Sequence, residues 1–129
     1  MKRIIVPVSL LFLIACNNDT KPAEEKKEEP TAAAPVDITK DPNYSKGLEL
    51  IAKSDCLTCH SVADKINGPA YQDVATKYAS AGDTIVAHLA NKILTGGSGV
   101  WGEIPMTPHP QLSKEDAESM VKYVLLLKK

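Results

Sequence analysis

One short motif, Cys56-x-x-Cys59-His60, constrains this chain more than any other feature of its sequence. The spacing is typical of covalent haem attachment, because two thiols on one helical turn can each add across a haem vinyl group while the adjacent imidazole reaches the iron. A tetrahedral zinc site would need four ligands, and the remaining cysteine, Cys16, lies near the start of the chain. A thioredoxin-like dithiol pair would accompany a βαβ pattern, which is absent from the sequence. The motif therefore predicts one haem c attached through Cys56 and Cys59, with His60 as an axial ligand.

Residues 1–15 have the pattern of a secretory signal peptide, in which two basic residues precede an apolar run that ends at Ala15. This run is too short to cross a hydrocarbon core about 30 Å thick, which requires roughly 20 helical residues. The four residues that end at Cys16 resemble the lipobox of bacterial lipoproteins, in which the cysteine is lipidated; a chance cysteine after an ordinary signal peptide is the alternative. Asn17 does not resemble the aspartate that commonly retains lipoproteins in the inner membrane. We therefore expect a lipid on Cys16 and favour outer-membrane anchoring.

Residues 16–41 are predicted to form a flexible linker. Residues 17–41 contain seven acidic residues and four lysines, several prolines and alanines, and almost no large apolar side chains. A segment of this composition cannot bury a core. It would let an anchored domain reach partners at the membrane face, although a purely solubilising role fits equally well.

Residues 42–129 are predicted to form a single haem domain. This segment has nine lysines and nine acidic residues, so it presents no basic face for nucleic acid. Its size is close to the limit at which a protein core alone is marginal, and a buried haem would supply much of the missing apolar contact.

Four segments have apolar residues at helical spacing: residues 43–54, 71–82, 83–94 and 113–129. Asp41 before Pro42, Asp83, and Ser113 are the expected N-terminal caps. We expect the last helix to cross the first, with Gly47 permitting a close approach. No segment shows strand alternation, so the predicted fold class is all-α.

Residues 100–110 contain three prolines and are predicted to form a loop. The candidates for a second axial haem ligand are Met106, Met120, His88 and His109. Loop position favours Met106, whereas Met120 falls on the apolar stripe of the last helix, where methionine is usually a core residue. His88 lies within a helix and is expected to be partly exposed. His109 follows Met106 by three residues and is the serious competitor, because it would give a bis-histidine haem.

The sequence from Gly99 to Pro108, the step from Gly68 to Tyr71 and the cysteine motif together resemble the small bacterial class I cytochromes c. The resemblance covers residues 41–128. Members of this family carry one haem and a short methionine loop. It implies an all-α class I cytochrome c fold, with about four helices wrapped around one covalently bound haem.

The resemblance also implies individual roles. Met106 would be the sixth iron ligand, and the Pro69 carbonyl would accept a hydrogen bond from the axial imidazole. Trp101 would donate its indole N–H to a haem propionate, and Lys92 stands where the family often places a basic residue for the same propionate. His109 is a departure, since related proteins often carry an amide side chain there that contacts the methionine.

The function implied by this resemblance is electron transfer, not enzymatic catalysis. We expect a monomeric, membrane-tethered periplasmic lipoprotein that carries one electron at a time in a respiratory chain, with an oxidase, reductase or dehydrogenase as redox partner. The alternatives are a haem subunit of a larger oxidoreductase or peroxidase, and a gas-binding module in which Met106 is displaceable. Rapid binding of carbon monoxide to the reduced protein would favour these alternatives.

Overall fold

The computed structural model describes residues 37–129. The predicted signal peptide, the lipidation site Cys16 and most of the linker lie outside the described residues. The described part contains four α-helices and one two-stranded hairpin: α1 (Pro42–Lys53), α2 (Tyr71–Lys77), α3 (Thr84–Thr95), β1 (Gly97–Gly99), β2 (Gly102–Met106) and α4 (Lys114–Leu126). Short 3-10 turns occupy Ile38–Lys40 and Asp55–Thr58. Across residues 37–129, no helix combines the length and apolar character needed to span a membrane.

Two of the three expected helix caps form. Asp41 accepts a hydrogen bond from the backbone N–H of Asn43 at 2.7 Å, directly before the proline that starts α1. Ser113 caps α4 by accepting from the N–H of Asp116 at 3.1 Å. Asp83 occupies the N-cap position of α3, but its side chain makes no capping hydrogen bond, so that expectation was wrong in this detail.

Helix α2 is shorter than its sequence pattern suggested. It ends at Lys77 instead of near Gly82. The chain turns at Tyr78, whose carbonyl accepts a hydrogen bond from the Ala81 N–H at 3.0 Å. This turn ends the helix before the apolar spacing does.

The main core lies where α4 crosses α1. A Cβ on Gly47 would lie 2.3 Å from Tyr123 Cβ, so the two helices approach as closely as the glycine was expected to allow. Tyr44 and Tyr123 pack edge to face, with ring centroids 5.3 Å apart. Met120 is 1% exposed within this core, in agreement with its predicted packing role. A smaller cluster between α3 and α4 is centred on the fully buried Ala90.

The hairpin was not predicted, and the expectation that no segment forms a strand was wrong. Strands β1 and β2 pair antiparallel, with Gly97 opposite Met106 and Gly99 opposite Gly102. Both strands are largely exposed, so they lack the alternation of a half-buried strand. All three of these glycines have positive φ values, a conformation that other residues rarely adopt. The fold is nevertheless mostly helical, as predicted.

Candidate haem site

His60 is held in one orientation by a backbone carbonyl. Its Nδ1 lies 2.8 Å from the carbonyl oxygen of Pro69. A carbonyl can only accept, so Nδ1 carries the hydrogen and the lone pair is on Nε2. The imidazole is therefore in the tautomer that binds a metal through Nε2.

The ring of His60 is also enclosed by its neighbours. A Cβ on Gly68 would lie 2.4 Å from His60 Cε1, so only glycine fits there without a displacement. On the chain just beyond, Tyr71 stacks with the imidazole at a centroid separation of 5.2 Å and an interplanar angle of 19°. Contacts within the protein thus fix the orientation of the imidazole without the help of a metal.

The two cysteines lie on a tight turn that leads into His60. Cys56 is half-buried against the main core, and Cys59 is exposed. The carbonyl of Cys56 accepts hydrogen bonds from the N–H groups of Cys59 at 3.2 Å and His60 at 3.0 Å. This turn places both thiols and the imidazole on one short stretch of backbone.

The electrostatics of Cys56 do not resemble those of a dithiol redox centre. Burial raises the pKa of the Cys56 thiol, and the neighbouring Asp55 carboxylate raises it further. Redox-active cysteines in such motifs instead have lowered pKa values, because the thiolate is the nucleophile. Within residues 37–129, moreover, no three histidine, cysteine or carboxylate side chains converge as metal ligands.

Met106 is the last residue of β2 and is half-buried. Its carbonyl lies against Gly96, where a Cβ would be only 2.4 Å from the oxygen and where φ is +66°. Its strand pairing with Gly97 adds a second restraint. The hairpin therefore fixes the backbone of the predicted sulfur ligand to the end of α3.

The two predicted propionate partners both lie at this hairpin. Trp101 occupies the turn between the strands and is 38% exposed. Lys92 Nζ lies 3.9 Å from the position that a Cβ on Gly97 would take. A second cation, Lys77, stands 5.5 Å from the centroid of the Trp101 ring and was not anticipated from the sequence.

The donor set and its surroundings fit a haem. The chain offers two thiols, an imidazole with its Nε2 lone pair available and a thioether, which are the groups that hold haem c with His/Met ligation. Large apolar side chains are also exposed near the predicted haem-binding residues. They are Leu57, Val62 and Ile66 near the cysteines, and Val100 and Ile104 near Met106. Such exposed apolar surface is typical of a binding site for an apolar ligand.

Comparison with protein families matches residues 44–128 to cytochrome c. The chain belongs to the cytochrome c family. This cytochrome is 46% identical over 84 residues to cytochrome c-551 of Pseudomonas denitrificans, an alignment covering 65% of this chain and all of that protein. It is 45% identical over 80 residues to cytochrome c-552 of Nitrosomonas europaea, covering 62% of this chain and 77% of that protein.

Solved structures give the same assignment. The crystal structure of wild-type Nitrosomonas europaea cytochrome c552 matches this cytochrome with a TM-score of 0.59 and 44% identity, covering 63% of this chain and 99% of that chain. The class I fold and the single covalently attached haem c are thereby confirmed. As a monohaem cytochrome c, the protein belongs to a family of electron carriers.

The remaining histidines are placed clearly. His88 is exposed on α3, as expected. His109, the predicted competitor of Met106, is 8% exposed, and its Nε2 lies 2.9 Å from Asp55 Oδ1. The pairing of Asp55 with His109 was not predicted, because no sequence pattern relates two residues so far apart.

Proposed function

We propose that this cytochrome is a membrane-tethered periplasmic carrier of single electrons in a respiratory chain, with Cys56 and Cys59 attached to the haem and His60 and Met106 as axial ligands. The observation that carries the assignment of His60 is its hydrogen bond from Nδ1 to the Pro69 carbonyl, which leaves Nε2 to bind iron. Haem c supplies a one-electron ferric–ferrous couple.

The chain's own contribution is to hold and shield that couple. Pro69 orients His60 and increases electron donation by the imidazole. The thioether of Met106 favours reduced iron and therefore raises the potential. Trp101 and Lys92 would bond a propionate, with Lys77 close to the indole. None of these roles requires a bond to be made or broken by the protein during electron transfer.

The ligand assignment is tested by spectroscopy of the ferric protein. Wild type should show the weak near-red charge-transfer band of methionine-ligated iron, and Met106→Ala should lose it. Met120→Leu is the matched control, since this core methionine is 1% exposed and should not affect the band. Retention of the band in Met106→Ala would reject Met106 as the ligand.

The carrier function is tested by ligand binding and electron exchange. The reduced protein should bind carbon monoxide slowly and show negligible peroxidase activity, because Met106 would occupy the sixth position. It should exchange electrons rapidly with a second small redox protein. Fast carbon monoxide binding would instead support the gas-binding or peroxidase alternatives.

The tether is a separate part of the proposal and rests on the lipobox-like sequence that ends at Cys16. The full chain expressed in a bacterial host should incorporate labelled fatty acid and fractionate with the outer membrane. Cys16→Ser should abolish the label and leave the cytochrome unanchored. Labelling that persists in Cys16→Ser would overturn this assignment.

A further inference from the structure

His109 is the single buried polar or charged side chain of the described core. It lies between two prolines, and its backbone N–H donates to the Ile93 carbonyl at 3.0 Å. Its ring reaches outward to Asp55, whose carboxylate is 2.9 Å from Nε2. The side chain of His109 is only 10% exposed, whereas that of Asp55 is 72% exposed. The bond therefore runs from the interior to the surface.

This bond joins the two segments that carry the haem-binding residues. Asp55 directly precedes Cys56, and His109 follows Met106 by three residues. We call residues 55–60 the haem-attachment segment and residues 102–112 the methionine segment. In the described part of the chain, no other hydrogen bond or ion pair connects these two segments. The backbone contacts of the methionine segment with Gly96 and Ile93 lead to α3 instead, and its Leu112 packs on the main core, where Cys56 also packs.

In the bond between His109 and Asp55, the histidine is the donor and the carboxylate is the acceptor. A carboxylate accepts, so Nε2 of His109 carries the hydrogen. The hydrogen bond from His109 holds the pKa of Asp55 below its usual value, so the carboxylate stays ionised at neutral pH. The other ring nitrogen, Nδ1, is buried and has no hydrogen-bond partner among the described residues. Loss of the bond to Asp55 would remove the one side-chain hydrogen bond of a ring whose other nitrogen is already without a partner, which is unfavourable.

We propose that Asp55 and His109 form a clasp that positions the methionine segment against the haem-attachment segment and slows dissociation of Met106 from the iron. The inference rests on the proposed ligation by Met106. Asp55 and His109 are positioning residues, since neither needs to touch the iron. In the clasped state Met106 would hold its place on the iron and exclude external ligands.

The test measures how fast an external ligand replaces Met106 in the ferric holoprotein. Imidazole is the probe, because a neutral ligand is not steered by the charge that the variants remove. At saturating imidazole the rate is limited by departure of the methionine. Asp55→Ala should raise this limiting rate about three- to tenfold, the order expected for the loss of one charge-assisted hydrogen bond at a partly exposed site. Asp55→Asn, which keeps a carbonyl acceptor, should raise it less.

Two further variants separate the clasp from a general effect of charge. Asp64→Ala removes another exposed carboxylate close to the haem-attachment segment and should leave the limiting rate unchanged. In a His109→Phe background, which keeps a buried ring, Asp55→Ala should have no additional effect. Equal rates in wild type and Asp55→Ala, or an undiminished effect of Asp55→Ala in the His109→Phe background, would overturn the clasp.

The near-red band distinguishes failure of the clasp from failure of the proposed ligation. If wild type has the band and Met106→Ala lacks it, but the Asp55 variants bind imidazole at the wild-type rate, the clasp alone is rejected. If the band does not depend on Met106, both inferences are rejected.

Discussion

The tight contact between Gly68 and His60 makes a sharp prediction about the variant Gly68→Ala. An added Cβ would lie 2.4 Å from His60 Cε1, whereas ordinary van der Waals contact begins at 3.4 Å. The ring or the Gly68 backbone must therefore move by about 1 Å. The imidazole cannot yield freely, since it is bonded to Pro69 and stacked on Tyr71.

The cost of this displacement can be estimated from the contacts it disturbs. Overpacking a buried contact costs about 1–3 kcal/mol, and weakening the bond to the Pro69 carbonyl adds about 0.5–1.5 kcal/mol. Replacing a glycine offsets about 0.4–1 kcal/mol through the unfolded chain. We expect a net loss of about 0.5–4 kcal/mol in the free energy of unfolding. For a domain of this size, each ~1 kcal/mol lowers Tm by about 4–8 °C.

The variant should also change the reduction potential. A longer bond from His60 Nδ1 to the Pro69 carbonyl reduces electron donation by the imidazole, which disfavours ferric iron and raises the potential. Thermal unfolding and voltammetry of the holoprotein measure the two effects. Gly82→Ala is the control, because a Cβ there meets no atom within 4 Å. A Gly68→Ala protein with the Tm and potential of Gly82→Ala would refute the reasoning.

Three other perturbations have defined outcomes. Gly47→Ala places a Cβ 2.6 Å from the Ser119 carbonyl oxygen and even closer to Tyr123. Although alanine has a higher helix propensity than glycine, this overlap should destabilise the crossing of α1 and α4 by about 1–3 kcal/mol. Urea unfolding measures the loss. Burial raises the pKa of Tyr71, so wild type should lose stability as the pH rises above about 10, where the unfolded tyrosine ionises. Denaturation at two alkaline pH values should show a smaller loss in Tyr71→Phe, and an equal loss would contradict this explanation. Preventing haem attachment should leave the domain poorly folded, with reduced helical circular dichroism; a native-like spectrum without haem would contradict a structural role for the cofactor.

The helices could be predicted because their apolar spacing and their caps agree locally. Asp41 and Ser113 both cap the helices that their positions suggested. The hairpin could not be predicted this way, because its strands are exposed and depend on glycine backbone conformations, so they leave no alternating pattern. The bond between Asp55 and His109 was also missed, since it depends on how the chain returns after α3.

The surroundings of His60 could be predicted in the same local way. The contact between His60 and Pro69 forms as the family resemblance implied, because both residues lie in one compact loop. The position of Lys77 over Trp101 was not foreseen, because it requires α2 and the hairpin to meet in space.

The C-terminal turn of α3 connects the interior of the domain to the segment that carries Met106 and His109. It carries Lys92, the predicted propionate partner, and Ile93, whose carbonyl holds the backbone of His109. Gly96 follows and packs against the Met106 carbonyl. The same helix is anchored on α4 through the fully buried Ala90. With Met106 as the proposed ligand, substitutions along the contact between α3 and α4 would be a route by which evolution could adjust the electrochemistry of this cytochrome without changing the proposed ligands.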